Sequence, residues 1–172
     1  MAKVMSLVAI GIGSNLPAAG KGGPLQVARE AVAALDTETI RVVHRSSWYW
    51  SDPVPPALQS LYVNGIVLAE TVFDPGTLLR RLFHIEHQFA RLRTAANQAR
   101  TLDLDLLIYD ALVIDTVDRR LIVPHPRLHR RAFVLQPLHE VWPAWRHPVS
   151  GLSASQLLQQ LAGDQWLCRI GC

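Results

Sequence analysis

The length, composition and charge of this chain exclude several classes of protein. Its 172 residues suffice for one domain, residues 1–172, and 49% apolar residues with a net charge of +3 are ordinary for a soluble globular protein. The longest apolar run near the N-terminus, residues 7–12, is too short for a signal peptide or a membrane span, so we expect a cytoplasmic protein without a membrane partner. Cys168 and Cys172 match no zinc or redox motif.

The basic residues are unusual in kind and in place. Only two of the 17 are lysines, and eight arginines lie between Arg91 and Arg131. Arginine is suited to a planar, bidentate grip on phosphate or carboxylate. The chain has no basic run and no RNA-binding motif, so a small polyphosphate ligand explains this bias as well as nucleic acid does.

Residues 4–12 are predicted to form the first β-strand, which ends in a glycine-rich turn over residues 11–16. Leu16 stands where a dinucleotide-binding fingerprint would have its third glycine. The P-loop-like stretch 15–22 lacks its first glycine and the Ser or Thr that should follow Lys21. Both nucleotide motifs therefore fail, and a tight turn is the favoured interpretation.

The next elements follow from hydrophobic periodicity and cap residues. Helices are predicted after Gly23-Pro24 and after Asp74-Pro75, where a proline stands in the first turn. Strands are predicted over residues 40–50 and 62–72. Between these strands, residues 51–56 form a stiff extended loop because its prolines fix φ.

Residues 100–109 are the most informative stretch. They are predicted to form a strand because they favour a pleated, half-buried surface and contain no Pro or Gly. Alternate residues of a strand share a face, so Asp103 and Asp105 point one way and the neighbouring leucines point the other. Residues 107–109 are apolar on both faces, which predicts a strand inside the sheet.

Two neighbouring carboxylates on one strand face repel each other and need a cation. Burial of one ion costs roughly several kcal/mol even after relaxation. Arg100 is one candidate partner for Asp103, and a divalent metal is the better one. Oxygen ligands without a soft donor nearby favour Mg²⁺, which typically takes one or two carboxylates together with water and substrate phosphates. The alternative is a half-exposed strand that happens to carry Asp twice.

The C-terminal third has weaker signals. Residues 112–114 are predicted to pair back onto the preceding strand, and residues 121–126 to be extended. One or two helical turns are expected over residues 133–139. The Ser153-x-x-Gln156 capping box predicts a last helix.

A histidine and arginine cluster lies between these elements. His125 and His129 have the helical spacing of a metal-ligand pair, but prolines on both sides of His125 argue against a helix, so we disfavour a metal there. The cluster Arg127, Arg130 and Arg131 is more often a solvated face, although it could also bind phosphate. A carboxylate pair, a metal and several arginines are together typical of phosphoryl transfer.

Short motifs extend this pattern over most of the chain. The most specific are Arg-Thr-Leu-Asp-Leu-Asp at residues 100–105 and Val-Pro-His at residues 123–125. The others are Gly-Ile-Gly-Ser-Asn at 11–15, Ser-Ser-Trp-Tyr at 46–49, Asp-Pro-Val at 52–54, Tyr-Val-Asn at 62–64, Ile-Glu at 85–86, Arg-Leu-Arg at 91–93, Arg-Ala-Phe at 131–133 and Pro-Leu at 137–138. In order and spacing, the sequence resembles the 6-hydroxymethyl-7,8-dihydropterin pyrophosphokinase family of folate biosynthesis.

The resemblance implies a fold and a set of site residues. We expect an α+β fold with a mainly antiparallel central sheet, helices on both faces and a ferredoxin-like core. Asp103 and Asp105 would hold two Mg²⁺ ions, and both would be catalytic with Arg91 and Arg93. The family positions around ATP are Leu79, Glu86, Arg91, Arg93, Arg100, Leu106, His125 and Arg131. Those of the pterin pocket are Ser51, Asp52, Pro53, Val54, Tyr62, Asn64 and Phe133.

The chain departs from the family pattern just before the carboxylate strand. Residues 96–100 read Ala-Asn-Gln-Ala-Arg, where family members commonly carry Arg-Trp-Gly-Pro-Arg. The aromatic ring that would close over the pterin from this loop is therefore absent. Phe83 stands where a polar residue is common on the nucleotide side.

Two functional hypotheses follow. The first is a monomeric diphosphokinase that moves a diphosphate from ATP to the pterin alcohol and releases AMP, with no nucleic acid as partner. The second is a metal-dependent binding module for nucleotides or RNA that has kept the fold and performs no transfer. Release of AMP distinguishes them.

Overall fold

The fold centres on a six-stranded antiparallel sheet in the computed structural model, which describes residues 5–89, 100–118, 120–161, 163 and 165–171. The strands in chain order are β1 (Ser6–Ser14), β2 (Ile40–Arg45), β3 (Tyr49–Ser51), β4 (Tyr62–Thr71), β5 (Asp103–Tyr109), β6 (Ile114–Asp115), β7 (Ile122–Val123) and β8 (Leu167–Arg169). Their order in the sheet is β5-β1-β4-β3-β8, and β2 also pairs with β4. Strands β6 and β7 pair separately. The predicted α+β class with a mainly antiparallel sheet is confirmed.

Helices cover both faces of this sheet. They are α1 (Pro24–Leu35), α2 (Pro75–Gln88), α3 (Ala132–Val141) and α4 (Ala154–Gln159). The first core lies under α1 and α2 and includes Leu104 and Leu106 of β5. The second lies under α3 and α4 and includes Leu107 of β5. No helix in the described ranges is long and apolar enough to cross a membrane.

The glycine-rich end of the first strand is not a turn. Strand β1 continues through Ser14 and pairs with β4 on one side and with β5 on the other. Gly11 and Gly13 lie inside this ladder, opposite Asp105 and Asp103 respectively. The prediction of a turn was wrong because these glycines continue the strand. Their missing side chains leave space on the face of the sheet.

The predicted strand over residues 40–50 is divided into β2 and β3. A register shift follows Val42, and the ladder is interrupted at residues 46–48. The Ser46 hydroxyl there accepts a 2.9 Å hydrogen bond from the Ile66 N–H. The ring of Trp48 then packs directly on the backbone of Gly65. Side-chain hydrogen bonding and packing therefore decide this break, which periodicity alone does not reveal.

Strand β5 lies at the edge of the sheet, which contradicts the prediction that it lies inside. Its outer side is covered by side-chain and loop groups. The Leu104 N–H donates to the Glu86 carboxylate at 2.8 Å, and the His125 N–H donates to the Leu107 carbonyl at 2.8 Å. Apolar residues on both faces thus indicated burial correctly, but not the number of neighbouring strands.

Other local predictions have mixed outcomes. The Asp74 cap accepts from the Thr77 N–H, and the Ser153 capping box is formed, as predicted. Residues 112–114 do not pair back onto β5, because Ile114 pairs with β7 instead. The expected one or two helical turns after Arg131 are the ten-residue helix α3. Strand β8 was not predicted from the sequence.

Candidate active site

Two carboxylates and two glycines form a shallow trough on the sheet. Asp103 and Asp105 are half-buried on the face of β5 that lies away from the first core. Gly13 pairs with Asp103 on one side and with Asn64 on the other. A Cβ at Gly13 would lie 3.6 Å from the Asn64 amide oxygen and 3.7 Å from the Asp103 Cβ. Because Gly13 has no side chain, the carboxylate and the amide face each other across one strand, with about 10 Å between their strands.

Two arginines form ion pairs with the two carboxylates. Arg100 contacts Asp103 at 2.8 Å, and Arg131 lies 3.9 Å from Asp105. Burial and the Asp103 charge nevertheless raise the pKa of Asp105 to about 6, against the opposing effect of Arg131, Arg100 and Arg127. The two arginines therefore do not fully compensate the repulsion between the carboxylates.

The donor set fits a magnesium ion. Among the described residues, no group of three or more His, Cys, Asp or Glu side chains could hold a metal by itself. The two neighbouring carboxylates, of which Asp105 has a raised pKa, are an incomplete oxygen shell of the kind that Mg²⁺ completes with water and substrate phosphates. Asp103 and Asp105 are the residues that would hold it.

The first residues of α3 border this trough. Arg131 is the N-cap residue and is buried, so it does not belong to the solvated face that the sequence suggested. Burial is also the main cause that lowers its pKa. Its guanidinium lies 5.3 Å from the centre of the Phe133 ring. Arg131 thus connects the carboxylate pair to the aromatic side chain that follows it.

His125 is a neutral hydrogen-bond donor beside these arginines. Burial, followed by the charges of Arg131 and Arg127, lowers its pKa to about 4. Its Nδ1 accepts a 3.2 Å hydrogen bond from the Arg127 N–H, which places the proton of the neutral ring on Nε2. A neutral imidazole that carries its proton on Nε2 is suited to donate a hydrogen bond to a phosphate oxygen.

Asn15 organises the approach to Arg100, and its role was missed in the sequence. Its side-chain oxygen accepts from the Arg100 N–H at 2.7 Å, and its own N–H donates to the Arg100 carbonyl at 3.1 Å. Its amide nitrogen donates to the Ser60 carbonyl at 3.3 Å. The motif Gly-Ile-Gly-Ser-Asn at residues 11–15 was the available signal, and it does not specify the partners of Asn15.

A cavity of about 250 Å³ lies beside Phe133. Its lining includes five residues of the predicted pterin set, namely Ser51, Asp52, Pro53, Val54 and Phe133. Asn64 does not line it but donates a 2.8 Å hydrogen bond to the Ser51 hydroxyl, and Tyr62 pairs with Ser51 in the sheet. Gln165 and Trp166 also line the cavity, and sequence reasoning missed both.

Comparison with known families agrees with this geometry. Residues 9–143 match the model of the 7,8-dihydro-6-hydroxymethylpterin-pyrophosphokinase family, HPPK. This chain belongs to the HPPK family. The resemblance stated from the motifs is thereby confirmed.

Curated relatives support the assignment. The chain is 38% identical over 153 residues to the 2-amino-4-hydroxy-6-hydroxymethyldihydropteridine pyrophosphokinase of Synechocystis, covering 88% of this chain and 74% of that protein. It is 40% identical over 141 residues to the protein of the same name from Pseudomonas aeruginosa, covering 82% and 83%. The Pneumocystis carinii folic acid synthesis protein fol1 is 31% identical over 90% of this chain, which spans 20% of that protein.

A solved structure shares the fold. The HPPK-DHPS A437G of Plasmodium falciparum, solved with SDX-DHP, aligns with a TM-score of 0.67 at 14% identity. The alignment covers 91% of this chain and 42% of that one. This likeness supports the predicted ferredoxin-like architecture.

Three of the predicted nucleotide residues lie on the core side of the sheet or at the edge of β5. Glu86 is buried on α2, and its carboxylate accepts a hydrogen bond from the Leu104 N–H at the edge of β5. Leu106 is buried in the first core, and Leu79 packs against that core. The side chains of Leu79 and Leu106 thus lie on the core side of the sheet, and the Glu86 carboxylate lies at the edge of β5, on the residue between Asp103 and Asp105. Arg91 and Arg93 lie outside the described residues.

Proposed function

We propose that this chain transfers a diphosphate from ATP to the hydroxymethyl group of 6-hydroxymethyl-7,8-dihydropterin and releases AMP. Membership of the HPPK family supports the reaction class. The observation that carries the proposal is the row Asp103–Gly13–Asn64, which puts a charged phosphate site and a polar ring site on one sheet face. We propose that the phosphate site and the ring site belong to one domain that comprises residues 1–172.

The carboxylate side of the trough is assigned to ATP. Asp103 and Asp105 would hold two Mg²⁺ ions, which would supply positive charge to neutralise the phosphates. Arg100, Arg131 and the neutral His125 would contact the remaining phosphate oxygens, because all three lie beside the pair. Leu79, Glu86, Arg91, Arg93 and Leu106 complete the proposed nucleotide set by family resemblance.

The opposite side is assigned to the pterin. Phe133 and Tyr62 offer ring faces for a flat heterocycle, and Asn64 can pair with its amide-like edge. The loop formed by Ser51, Asp52, Pro53 and Val54 would supply backbone groups, since it lines the cavity.

The transfer is an in-line displacement at the β-phosphorus. A bond forms between the pterin hydroxyl oxygen and the β-phosphorus, and the bond from the β-phosphorus to the oxygen it shares with the α-phosphorus breaks. We assign the hydroxyl proton to Asp103, because this carboxylate shares the Gly13 row with Asn64. AMP leaves with the bridging oxygen, and Arg91 and Arg93 are proposed to stabilise the charge that develops.

The test is release of AMP from ATP in the presence of Mg²⁺ and the pterin alcohol. We expect Asp105→Ala to lower turnover by about 10²- to 10³-fold, the scale of losing one main source of charge stabilisation. The control is Glu38→Ala, an exposed acidic residue. ATP binding without any AMP would contradict the proposal and favour a binding module. Monomeric state and cytoplasmic location stay predictions.

A further inference from the structure

The segment that precedes β8 forms one wall of the cavity beside Phe133. Leu167 of β8 pairs with Ser51 of β3, and Gln165 and Trp166 stand immediately before it. Because the strand pairing holds this segment against β3, the two side chains are a fixed part of the cavity wall.

Gln165 fixes the segment at a second point. Its amide nitrogen donates to the Arg130 carbonyl at 3.0 Å, and its amide oxygen accepts from the Ala132 N–H at 2.8 Å. These two backbone groups flank Arg131, whose own side chain forms no cap hydrogen bond. Gln165 thus supplies the missing acceptor at the start of α3 and ties the wall to the backbone that carries Phe133.

Trp166 is left partly uncovered at this wall. It lines the cavity, yet 46% of its surface is exposed. A large ring held in place by its neighbours and still accessible is a stacking surface for a flat ligand. The lining also includes Phe133, and residues 90–99 contain no aromatic residue that would offer an alternative ring.

We propose that Trp166 binds the heterocycle of the pterin substrate directly and contributes to its affinity. This inference rests on the proposed function, because it takes the pterin as the occupant of the cavity. It adds the segment before β8 to the substrate site, with Gln165 as the residue that holds Trp166 in position.

The first test is steady-state kinetics. Trp166→Ala is expected to raise the KM for the pterin alcohol about 5- to 10-fold, the scale of one lost aromatic contact, while kcat and the KM for ATP stay within about twofold. Trp166→Phe should keep most of the affinity because it retains a ring. The control is Val149→Ala, an exposed apolar residue that does not line the cavity.

The second test is direct and needs no turnover. The pterin alcohol is expected to quench part of the tryptophan fluorescence of the unmodified protein, and Trp166→Phe should lose most of that quenching. Because Trp166 is half exposed, both variants should unfold within about 3 °C of the unmodified protein.

The outcomes separate the two proposals. A KM for the pterin alcohol that stays within twofold in Trp166→Ala, or quenching that is unchanged in Trp166→Phe, would overturn the role of Trp166. Absence of AMP release by the unmodified protein would overturn the proposed function, while the quenching comparison would still decide whether Trp166 contacts the ring.

Discussion

At the scale of single residues, the carboxylate pair has a cost in stability that a bound divalent cation would offset. Burial and the neighbouring Asp103 raise the pKa of Asp105 to about 6, above its ordinary value of 3.8. Between these pH values the folded protein holds a proton that the unfolded chain has lost. In the absence of metal, stability attributable to Asp105 is therefore present below about pH 4 and is lost as the pH rises through 6.

Asp105→Asn is accordingly expected to stabilise the metal-free protein at pH 7. The gain should be about 1 kcal/mol, which discounts the shift because 36% of the side chain stays exposed. The same variant should lose the stabilisation that Mg²⁺ with an ATP analogue gives the unmodified protein. Thermal unfolding with EDTA and with Mg²⁺ measures both effects, with Glu38→Gln as control. A metal-free variant less stable than the unmodified protein would contradict the repulsion.

His125 is expected to act on stability in the opposite direction. Its pKa is about 4 in the fold and 6.5 in the unfolded chain, so the unfolded state binds the proton first as the pH falls. The stability that the neutral ring contributes is present above pH 6.5 and is lost as the pH falls to 4, by on the order of 2 kcal/mol.

His125→Gln should flatten this part of the stability profile. Urea unfolding between pH 4 and 7 measures it, and the exposed residue His44 provides the matched variant His44→Gln. A variant profile that still falls as steeply as that of the unmodified protein would show that another group titrates there.

At the scale of secondary-structure elements, Gly65 of β4 and Gly13 of the paired strand β1 have different structural roles. A Cβ at Gly65 would lie 2.6 Å from two ring atoms of Trp48, so Gly65→Ala should cost about 2–3 kcal/mol through overpacking. A Cβ at Gly13 meets only ordinary contacts, so Gly13→Ala should cost less than about 1 kcal/mol while it fills the trough.

Urea unfolding and KM values for both substrates test this pair. We expect Gly65→Ala to lose stability and Gly13→Ala to lose substrate affinity, each serving as the control of the other. Equal loss of stability in the two variants would mean that the trough is not set by Gly13.

The elements also show what could be predicted from sequence. The start of α2 was predictable because Asp74 and Pro75 act within one turn. The alternation of Asp103 and Asp105 with the buried leucines was also predictable from a local rule, because successive residues of a strand point to opposite faces. The edge position of β5 was not, because periodicity reports burial and Glu86 covers the edge from another element. The positions of Arg131 and Gln165 in the site were not predictable either, because they depend on contacts between distant segments that no local pattern specifies.

At the scale of the whole molecule, stability should be highest at the centre of the sheet. Strand β1 is paired on both sides, and β4 pairs with β1, β2 and β3. Strands β6 and β7 contain two residues each, and β8 pairs with β3 alone among the described residues.

Hydrogen exchange is therefore expected to be slowest in β1 and β4 and fastest in β6, β7 and β8, because opening a peripheral strand breaks fewer contacts. Native-state exchange read by mass spectrometry or NMR measures this order. Amides of β8 that exchange as slowly as those of β4 would contradict it. Addition of both substrates should slow exchange at β8 if Trp166 contacts the pterin.

Helix α3 belongs at once to the site and to the second core. Its N-cap residue and first turn, Arg131 to Phe133, border the trough. Leu135 and Leu138 of the same helix are fully buried in the second core. A ligand that binds the first turn in the folded protein, and not the unfolded chain, stabilises the folded state by mass action. The abundance of this protein in a cell should therefore follow the supply of its substrates, and a substitution that weakens the α3 layer should be tolerated best where those substrates are plentiful.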